Sequence, residues 1–152
     1  MKERKDKEII ANSNGVTIFD FPLGFTPTER DLELAFEGET IRNIPPLNNR
    51  QLKICDAQGL SWLVDLKLDV VFWLEVSFAS SYDKKPTDHD PTEVFKGKVR
   101  IGQYTVQGPF LFPIAEVIRK VEIPGLSVMM VPGKKQIHSL TINFKNNETK
   151  LR

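Results

Sequence analysis

The sequence has few of the residue types that usually carry chemistry. Its 152 residues include one cysteine, Cys55, and two histidines. A single cysteine excludes an internal disulfide framework and is typical of a reducing compartment. No glycine-rich phosphate loop is present, since Gly133-Lys134-Lys135 lacks the upstream glycine that such a loop requires. No apolar run approaches about 20 residues, so we expect no transmembrane helix.

An excess of charge of one sign is also missing. The chain carries 21 lysines and arginines against 20 aspartates and glutamates, for a net charge of +1. This balance creates no overall field that would attract nucleic acid or an anionic membrane. Segment 1–8 is nearly all charge of both signs and has no apolar signal-peptide core. We therefore expect a cytoplasmic or intracellular protein, without a membrane partner and not secreted by a classical signal peptide.

Two acidic groups have the composition of a metal site but not its spacing. Asp56 and the later Asp65-Leu66-Lys67 have the residue order of an Asp…Asp-x-Lys centre. A hairpin through 56–59, however, would place Asp65 opposite Arg50 and far from Asp56. The acidic loop 83–93 lacks the spacing and the glycine of a calcium loop, and a cation there stays an open alternative. We predict no catalytic residue, no metal site and no cofactor.

The strongest pattern in the chain is an alternation between residues 62 and 78. Every even position in this run is apolar, which places those side chains on one face of a strand. We predict one long strand over 62–78, with a bend or bulge near 67–69 and the even side chains in the core. The alternative is a break near Asp69, although no Gly, Pro or Asn is present to make a tight turn. Because Val71 and Trp73 are also apolar, the odd face must be covered there as well.

Shorter alternating runs between prolines and glycines predict the remaining elements. The runs cover 16–21, 31–37, 40–44, 52–55, 60–68, 93–101, 126–131 and 137–145. Segment 113–121 is the one predicted helix, because its apolar residues follow the helical period. We predict a mainly β fold, a two-sheet sandwich or closed barrel of about eight antiparallel strands with one short helix. The predicted organisation is a charged disordered tail (1–8), a single β domain (9–145) and a polar C-terminal tail (146–152).

A proline-bounded aromatic loop provides the candidate partner surface. Phe110, Leu111 and Phe112 lie between two prolines, outside any periodic element. Such a loop either closes one end of the fold or contacts a partner. Trp73 lies opposite the main core in the predicted strand. We expect either that the predicted helix covers Trp73, or that Trp73 and the loop form an exposed patch used in assembly.

These observations favour a non-enzymatic β-scaffold interaction or assembly module, for example a subunit of a larger protein particle. Its partners would be other protein chains, in a self- or hetero-oligomer. One alternative is a β domain that binds a small ligand or carbohydrate. The other is nucleic-acid binding, which the near-neutral charge argues against, through Lys96, Lys98 and Arg100 on one face of strand 93–101. Phe95, Val99 and Ile101 would then point inward.

Overall fold

The protein is mainly β, with two sheets in the part of the chain that is described. The computed structural model describes residues 7–78, 90–107, 123, 125–132 and 137–144. These residues form one α-helix, α1 (Glu29–Ala35), and eleven strands. The strands are β1 (Glu8–Asn12), β2 (Gly15–Ile18), β3 (Phe21–Gly24), β4 (Arg42–Asn43), β5 (Arg50–Cys55), β6 (Leu60–Asp65), β7 (Val70–Ser77), β8 (Lys98–Ile101), β9 (Tyr104–Gln107), β10 (Leu126–Pro132) and β11 (Ile137–Phe144). A short 3-10 turn, Asp56–Gln58, joins β5 to β6.

The strands divide into a five-stranded and a six-stranded sheet. The order is β3-β2-β1-β8-β9 in the first and β10-β11-β7-β6-β5-β4 in the second, and neither sheet closes on itself. All described pairings are antiparallel except that of β1 with β8, which is parallel. Buried side chains from both sheets and from α1 form one apolar cluster, which includes Ile9, Val99, Leu32, Trp62 and Leu74. The prediction of about eight antiparallel strands is therefore corrected in two ways, because the described residues form eleven strands and one of the strand pairs is parallel.

The predicted long strand over 62–78 is wrong, because the chain turns back at residues 66–69. Strands β6 and β7 are the two arms of an antiparallel hairpin. The Asp65 carboxylate accepts hydrogen bonds from the backbone N–H of Lys67 and of Leu68, both at 2.9 Å. Asp69 adopts a left-handed conformation with φ 55°. The Asp65 side chain therefore stabilises a turn that contains no glycine or proline. Leu66 and Leu68, which we predicted to lie in the core, are exposed.

The predicted strand over 31–37 is also wrong, since these residues belong mostly to α1. Thr28 caps the helix, and its side chain accepts from the Asp31 N–H while the Asp31 carboxylate accepts from the Thr28 N–H. This reciprocal pair is a capping box. It provides hydrogen-bond acceptors for backbone N–H groups that have no acceptor within the first turn of the helix. Leu32 and Phe36 are four residues apart. This spacing places both side chains on one face of a strand and also on one face of a helix, so the pattern fits either structure. Both are buried in the shared core.

A bulge in the β6–β7 pair changes the faces on which Val71 and Phe72 lie. The register shifts so that Leu63 is opposite Trp73 whereas Val64 is opposite Val71, which leaves Phe72 as the extra residue. Val71 and Leu74 belong to the shared core, and Phe72 and Trp73 do not. Phe72 is buried, as predicted for an even position, but it lies outside the cluster that the two sheets share.

The remaining predicted elements differ in how well they match. Strands β10 and β11 confirm the predicted strands over 126–131 and 137–145 within one or two residues. The predicted strand over 16–21 is a hairpin, because Phe19 and Asp20 both have positive φ and form its turn. Glu8, the last residue of the predicted tail, is the first residue of β1. The predicted helix over 113–121 lies outside the described residues.

Candidate interaction surface on the outer face of the six-stranded sheet

Cross-strand pairing shows which side chains share the outer face of the six-stranded sheet. Leu52 is opposite Leu63, Leu63 is opposite Trp73, and Trp73 is opposite Asn143. Directly opposed residues lie on the same side of a sheet. We call Leu52, Leu63, Trp73 and Asn143 the outer row. All four side chains are partly exposed, and none belongs to the shared core.

An open groove of about 610 Å³ lies beside the outer row, on the side of β4 and β5. Its floor includes Leu52 and Leu63, and its wall is the segment that connects β4 to β5. The lining residues are mostly apolar, with one amide and one opposite-charge pair: Ile44, Pro45, Leu47, Asn48, Arg50, Leu52, Leu63 and Asp65. The lining residues are thus mostly apolar by number, but polar atoms form slightly more than half of the exposed surface of the groove.

Two adjacent turns form an exposed apolar rim at one end of this groove. Asn48 and Asn49, with φ of 52° and 66°, make a two-residue turn between Leu47 and Arg50, whose backbones exchange two hydrogen bonds. The Leu66 N–H donates to the Asn49 carbonyl at 2.7 Å, which holds this turn beside the β6–β7 turn. Leu47 is 75% exposed and Leu66 is 42% exposed. Neither leucine contributes to the core.

The charged residues of the groove are engaged with their own surroundings. The Arg50 guanidinium lies over the Phe72 ring at 4.6 Å from its centroid, which is a cation–π geometry. Asp65 is nearly buried and accepts from the turn amides described above. Arg50 and Asp65 are directly opposite each other in the β5–β6 pair. The sequence prediction that Asp65 lies opposite Arg50, and not beside Asp56, is therefore confirmed.

The other end of the outer face is covered by residues 90–95. Arg42 donates to the Asp56 carboxylate from Nε at 2.9 Å and from Nη2 at 3.0 Å, and Nη2 also donates to the Asp90 carbonyl at 3.0 Å. The Thr92 N–H donates to Asp56 Oδ1 at 3.0 Å. The Arg42 hydrogen bonds lower the pKa of the Asp56 carboxyl.

Two further contacts hold this segment against the sheet. The Phe95 N–H donates to the Ser77 carbonyl at 2.7 Å. Gly59 has φ 70°, and a side chain there would collide with the backbone of Val94 and Phe95. Ile54, which lies on the outer face, is fully buried at this end. The open part of the outer face therefore begins at the outer row.

One partly buried carboxyl, that of Glu75, lies at the covered end. It is directly opposite Ser61 on β6 and Thr141 on β11. Burial raises the pKa of Glu75, and the negative charge of Asp90 raises it further, whereas His138 and a hydrogen bond from Ser139 act in the opposite direction. Burial also raises the pKa of the Cys55 thiol to about 11, so this cysteine stays protonated at neutral pH.

The predicted strand over 93–101 is too long, because β8 of the five-stranded sheet begins at Lys98 and Lys96 precedes it. We call Lys96, Lys98 and Arg100 the cation row. Lys96, Lys98 and Arg100 are exposed, whereas Phe95, Val99 and Ile101 are buried, so the predicted alternation is confirmed. Glu8 on β1 is opposite Lys98, and its carboxylate lies 3.4 Å from Arg100 Nε. This carboxylate offsets part of the positive charge of the row.

The predicted partner-binding residues are only partly located by the structure. Trp73 lies off the core, on the outer face, as predicted, whereas Phe110, Leu111 and Phe112 lie outside the described residues. Sequence reasoning missed the groove residues Leu47, Arg50, Leu52 and Leu63. The one available signal was Asn48-Asn49, since paired asparagines favour the left-handed conformations of a two-residue hairpin turn.

The fold defines a mainly β protein with two sheets and an open groove on one outer face. No protein-family model, curated protein or solved structure matches the chain. In the described ranges, no helix has the length and apolar character needed to cross a membrane. Among the same residues, no group of three or more His, Cys, Asp or Glu side chains is placed to hold a metal ion.

Proposed function

We propose that this protein is a non-enzymatic interaction module, a two-sheet β sandwich that binds another protein chain through the outer row and the adjoining groove. The observation that supports this most directly is the position of Trp73, which lies off the shared core at a partly exposed site opposite Leu63. Tryptophan is enriched among the residues that contribute most to protein interfaces.

The surroundings of Trp73 support a protein partner more than the aromatic ring alone does. Single exposed leucines are ordinary on protein surfaces, so Leu47 by itself would mean little. Here Leu47 lines a groove whose floor is formed by Leu52 and Leu63, and the exposed Leu66 lies in the neighbouring turn, which is hydrogen-bonded to Asn49. A partly exposed apolar centre with charged groups at its margin is the usual composition of a protein–protein interface.

Substitution of the rim tests this proposal without disturbing the core. Because Leu47 is 75% exposed, Leu47→Ser should leave the free energy of unfolding within about 0.5 kcal/mol of the native value. It should nevertheless reduce partner capture, measured by quantitative mass spectrometry after affinity purification of the full chain. Leu34→Ser is the matched control, because Leu34 is an exposed leucine on α1, away from the groove. Equal capture by the native chain and both variants would contradict the proposal.

Chemical cross-linking locates the partner independently. Lys67 lies in the β6–β7 turn beside the rim, whereas Lys98 lies on the five-stranded sheet, and both are exposed. An amine-reactive cross-linker should join the partner to Lys67 more often than to Lys98. A partner joined mainly to Lys98 would move the interface to the cation row and would favour the nucleic-acid or charge-driven alternatives.

The groove also favours a second candidate function, the binding of a small ligand such as a carbohydrate. Its volume is within the range of about 300–1,000 Å³ that is usual for ligand sites, and Asn48 and Arg50 provide polar groups. Chemical-shift changes confined to Leu52, Leu63 and Arg50 on titration with oligosaccharides would favour this function. The absence of such shifts at millimolar sugar would leave the protein partner as the better explanation.

A further inference from the structure

Arg50 is the one positively charged residue among the described residues that line the groove. Its guanidinium carbon lies 4.6 Å from the centroid of the Phe72 ring, and Phe72 is buried outside the shared core. In the part of the chain that the structure describes, the Arg50 side chain takes part in no ion pair and donates no hydrogen bond. The aromatic ring therefore holds the guanidinium in place but provides no conventional acceptor for its N–H groups.

The acidic residue opposite Arg50 does not provide that acceptor either. Asp65 is directly opposite Arg50 in the β5–β6 pair, but it is only 8% exposed, and its Oδ1 accepts from the N–H groups of Lys67 and Leu68. A guanidinium carries five N–H donors in one plane, so a ring against one side leaves the edge of that plane accessible. The groove therefore presents a cationic group with available donors beside the two leucines of its floor.

We infer that the groove binds a segment of the partner protein that presents one carboxylate to Arg50 and apolar side chains to Leu52 and Leu63. This inference rests on the proposed function and specifies the chemistry of the partner. A planar guanidinium matches the two oxygens of a carboxylate and can bind both at once. Phosphate groups on proteins are usually bound by clusters of arginines, whereas the described lining of this groove has one cation. The charge of the groove therefore complements a single carboxylate.

The position of Arg50 makes this contact stronger than an ordinary surface ion pair. A fully exposed pair contributes little, because water screens both charges and two long side chains lose conformational freedom. In the groove, Pro45 and Leu47 of the wall would shield the bound carboxylate from part of the solvent. The contact with Phe72 already restricts the guanidinium, so less freedom is lost on binding.

Selection from a display library of random peptides on the full native chain tests the inference. The selected peptides should contain an aspartate or glutamate beside apolar residues. When that residue is replaced by asparagine or glutamine in a synthetic peptide, the dissociation constant for the native chain should rise at least about tenfold, because a charge-assisted hydrogen bond is lost. This comparison uses only the native chain, so it does not depend on the folding of a variant.

Substitution of Arg50 assigns the contact to this side chain. Arg50→Gln should raise the dissociation constant of the acidic peptide at least about tenfold, and it should bind the acidic peptide and its amide counterpart about equally. Arg100→Gln is the matched control, because it removes an exposed arginine from β8 of the other sheet and should bind like the native chain.

Four results would overturn the inference. They are a selection that yields no peptides or peptides without an acidic residue, an amide peptide that binds as tightly as the acidic one, an Arg50→Gln variant that binds like the native chain, and Arg50 side-chain N–H groups that are protected from exchange in the unbound chain. The last result would show that a group of the same chain already occupies Arg50. If partner capture falls with Leu47→Ser but not with Arg50→Gln, the proposed interface stands and only the acidic contact is excluded, whereas capture that falls with neither excludes both.

Discussion

Two carboxylates at the covered end of the outer face have pKa values displaced in opposite directions. The hydrogen bonds from Arg42 and Thr92 favour the charged form of Asp56 and lower its pKa. Burial disfavours the charged form of Glu75 and raises its pKa. Asp56 therefore contributes stability that is lost as the pH falls below the ordinary aspartate range, whereas Glu75 reduces stability as the pH rises through the ordinary glutamate range.

We predict that Glu75→Gln makes the protein more stable than the native chain at neutral pH. The native state binds the Glu75 proton more tightly than the unfolded state does, so stability falls as the pH rises above about 4.5. Glutamine keeps the shape and the hydrogen-bonding capacity of the protonated acid, and this part of the pH dependence should disappear.

Urea unfolding at several pH values between about 4.5 and 8 measures the effect on the free energy of unfolding. The control is Glu33→Gln, which removes one carboxylate from an exposed position on α1, where Glu33 lies 3.4 Å from Arg30. If Glu75→Gln were less stable than the native chain at neutral pH, the Glu75 charge would have to be favourably paired.

At the scale of elements, the β6–β7 hairpin depends on one side chain. The Asp65 carboxylate accepts from two turn amides, and the Asp69 carboxylate accepts from the Glu29 N–H at the start of α1. The turn therefore also positions the helix that carries Leu32 and Phe36 toward the core. Two elements that are 40 residues apart in the chain are joined by this contact.

We predict that Asp65→Ala lowers the free energy of unfolding by about 1–2 kcal/mol, because two turn amides lose their acceptor. Asp65→Asn keeps an oxygen acceptor and should recover most of this loss. Lys67→Ala serves as the control at the same turn, since the Lys67 side chain is exposed. Urea unfolding at neutral pH measures all three variants, and equal stabilities for Asp65→Ala and Lys67→Ala would show that the carboxylate does not hold the turn.

At the scale of the whole molecule, aromatic contacts connect the two sheets. Phe36, at the end of α1, stacks on Trp62 of β6 with ring centroids 4.6 Å apart and an interplanar angle of 8°. The same ring meets Phe19, from the β2–β3 turn of the five-stranded sheet, edge-on at 5.6 Å. One buried side chain thus contacts both sheets, which favours unfolding of the described fold as a single unit.

We predict that Phe36→Ala lowers the free energy of unfolding by about 3–5 kcal/mol, the usual cost of removing a buried phenylalanine ring. Tryptophan fluorescence and far-ultraviolet circular dichroism should show coincident transitions, both shifted to lower denaturant. Leu34→Ala, at an exposed position of the same helix, should shift them little. Separate transitions for the two signals in the native chain would show that the sheets unfold independently.

The local alternation of the sequence was enough to predict part of this structure. It predicted the β class, the strands β10 and β11, the inward Phe95, Val99 and Ile101, and the position of Trp73 off the main core. It failed where two periods coincide, since Leu32 and Phe36 satisfy both a strand and a helix. The Thr28…Asp31 capping box would have resolved that ambiguity in favour of the helix.

What the sequence by itself determined is which side chains can share a face, because that follows from the period of each element. What only the tertiary structure decided is which faces and turns meet. The groove lies between the segment that follows β4 and the paired strands β5 and β6, and the Leu66 N–H, which donates to the Asn49 carbonyl, joins the turns at its rim. The β6–β7 bulge likewise depends on strand pairing, which no single strand specifies. Contacts between distant segments therefore created the candidate surface, and a local pattern could not reveal it.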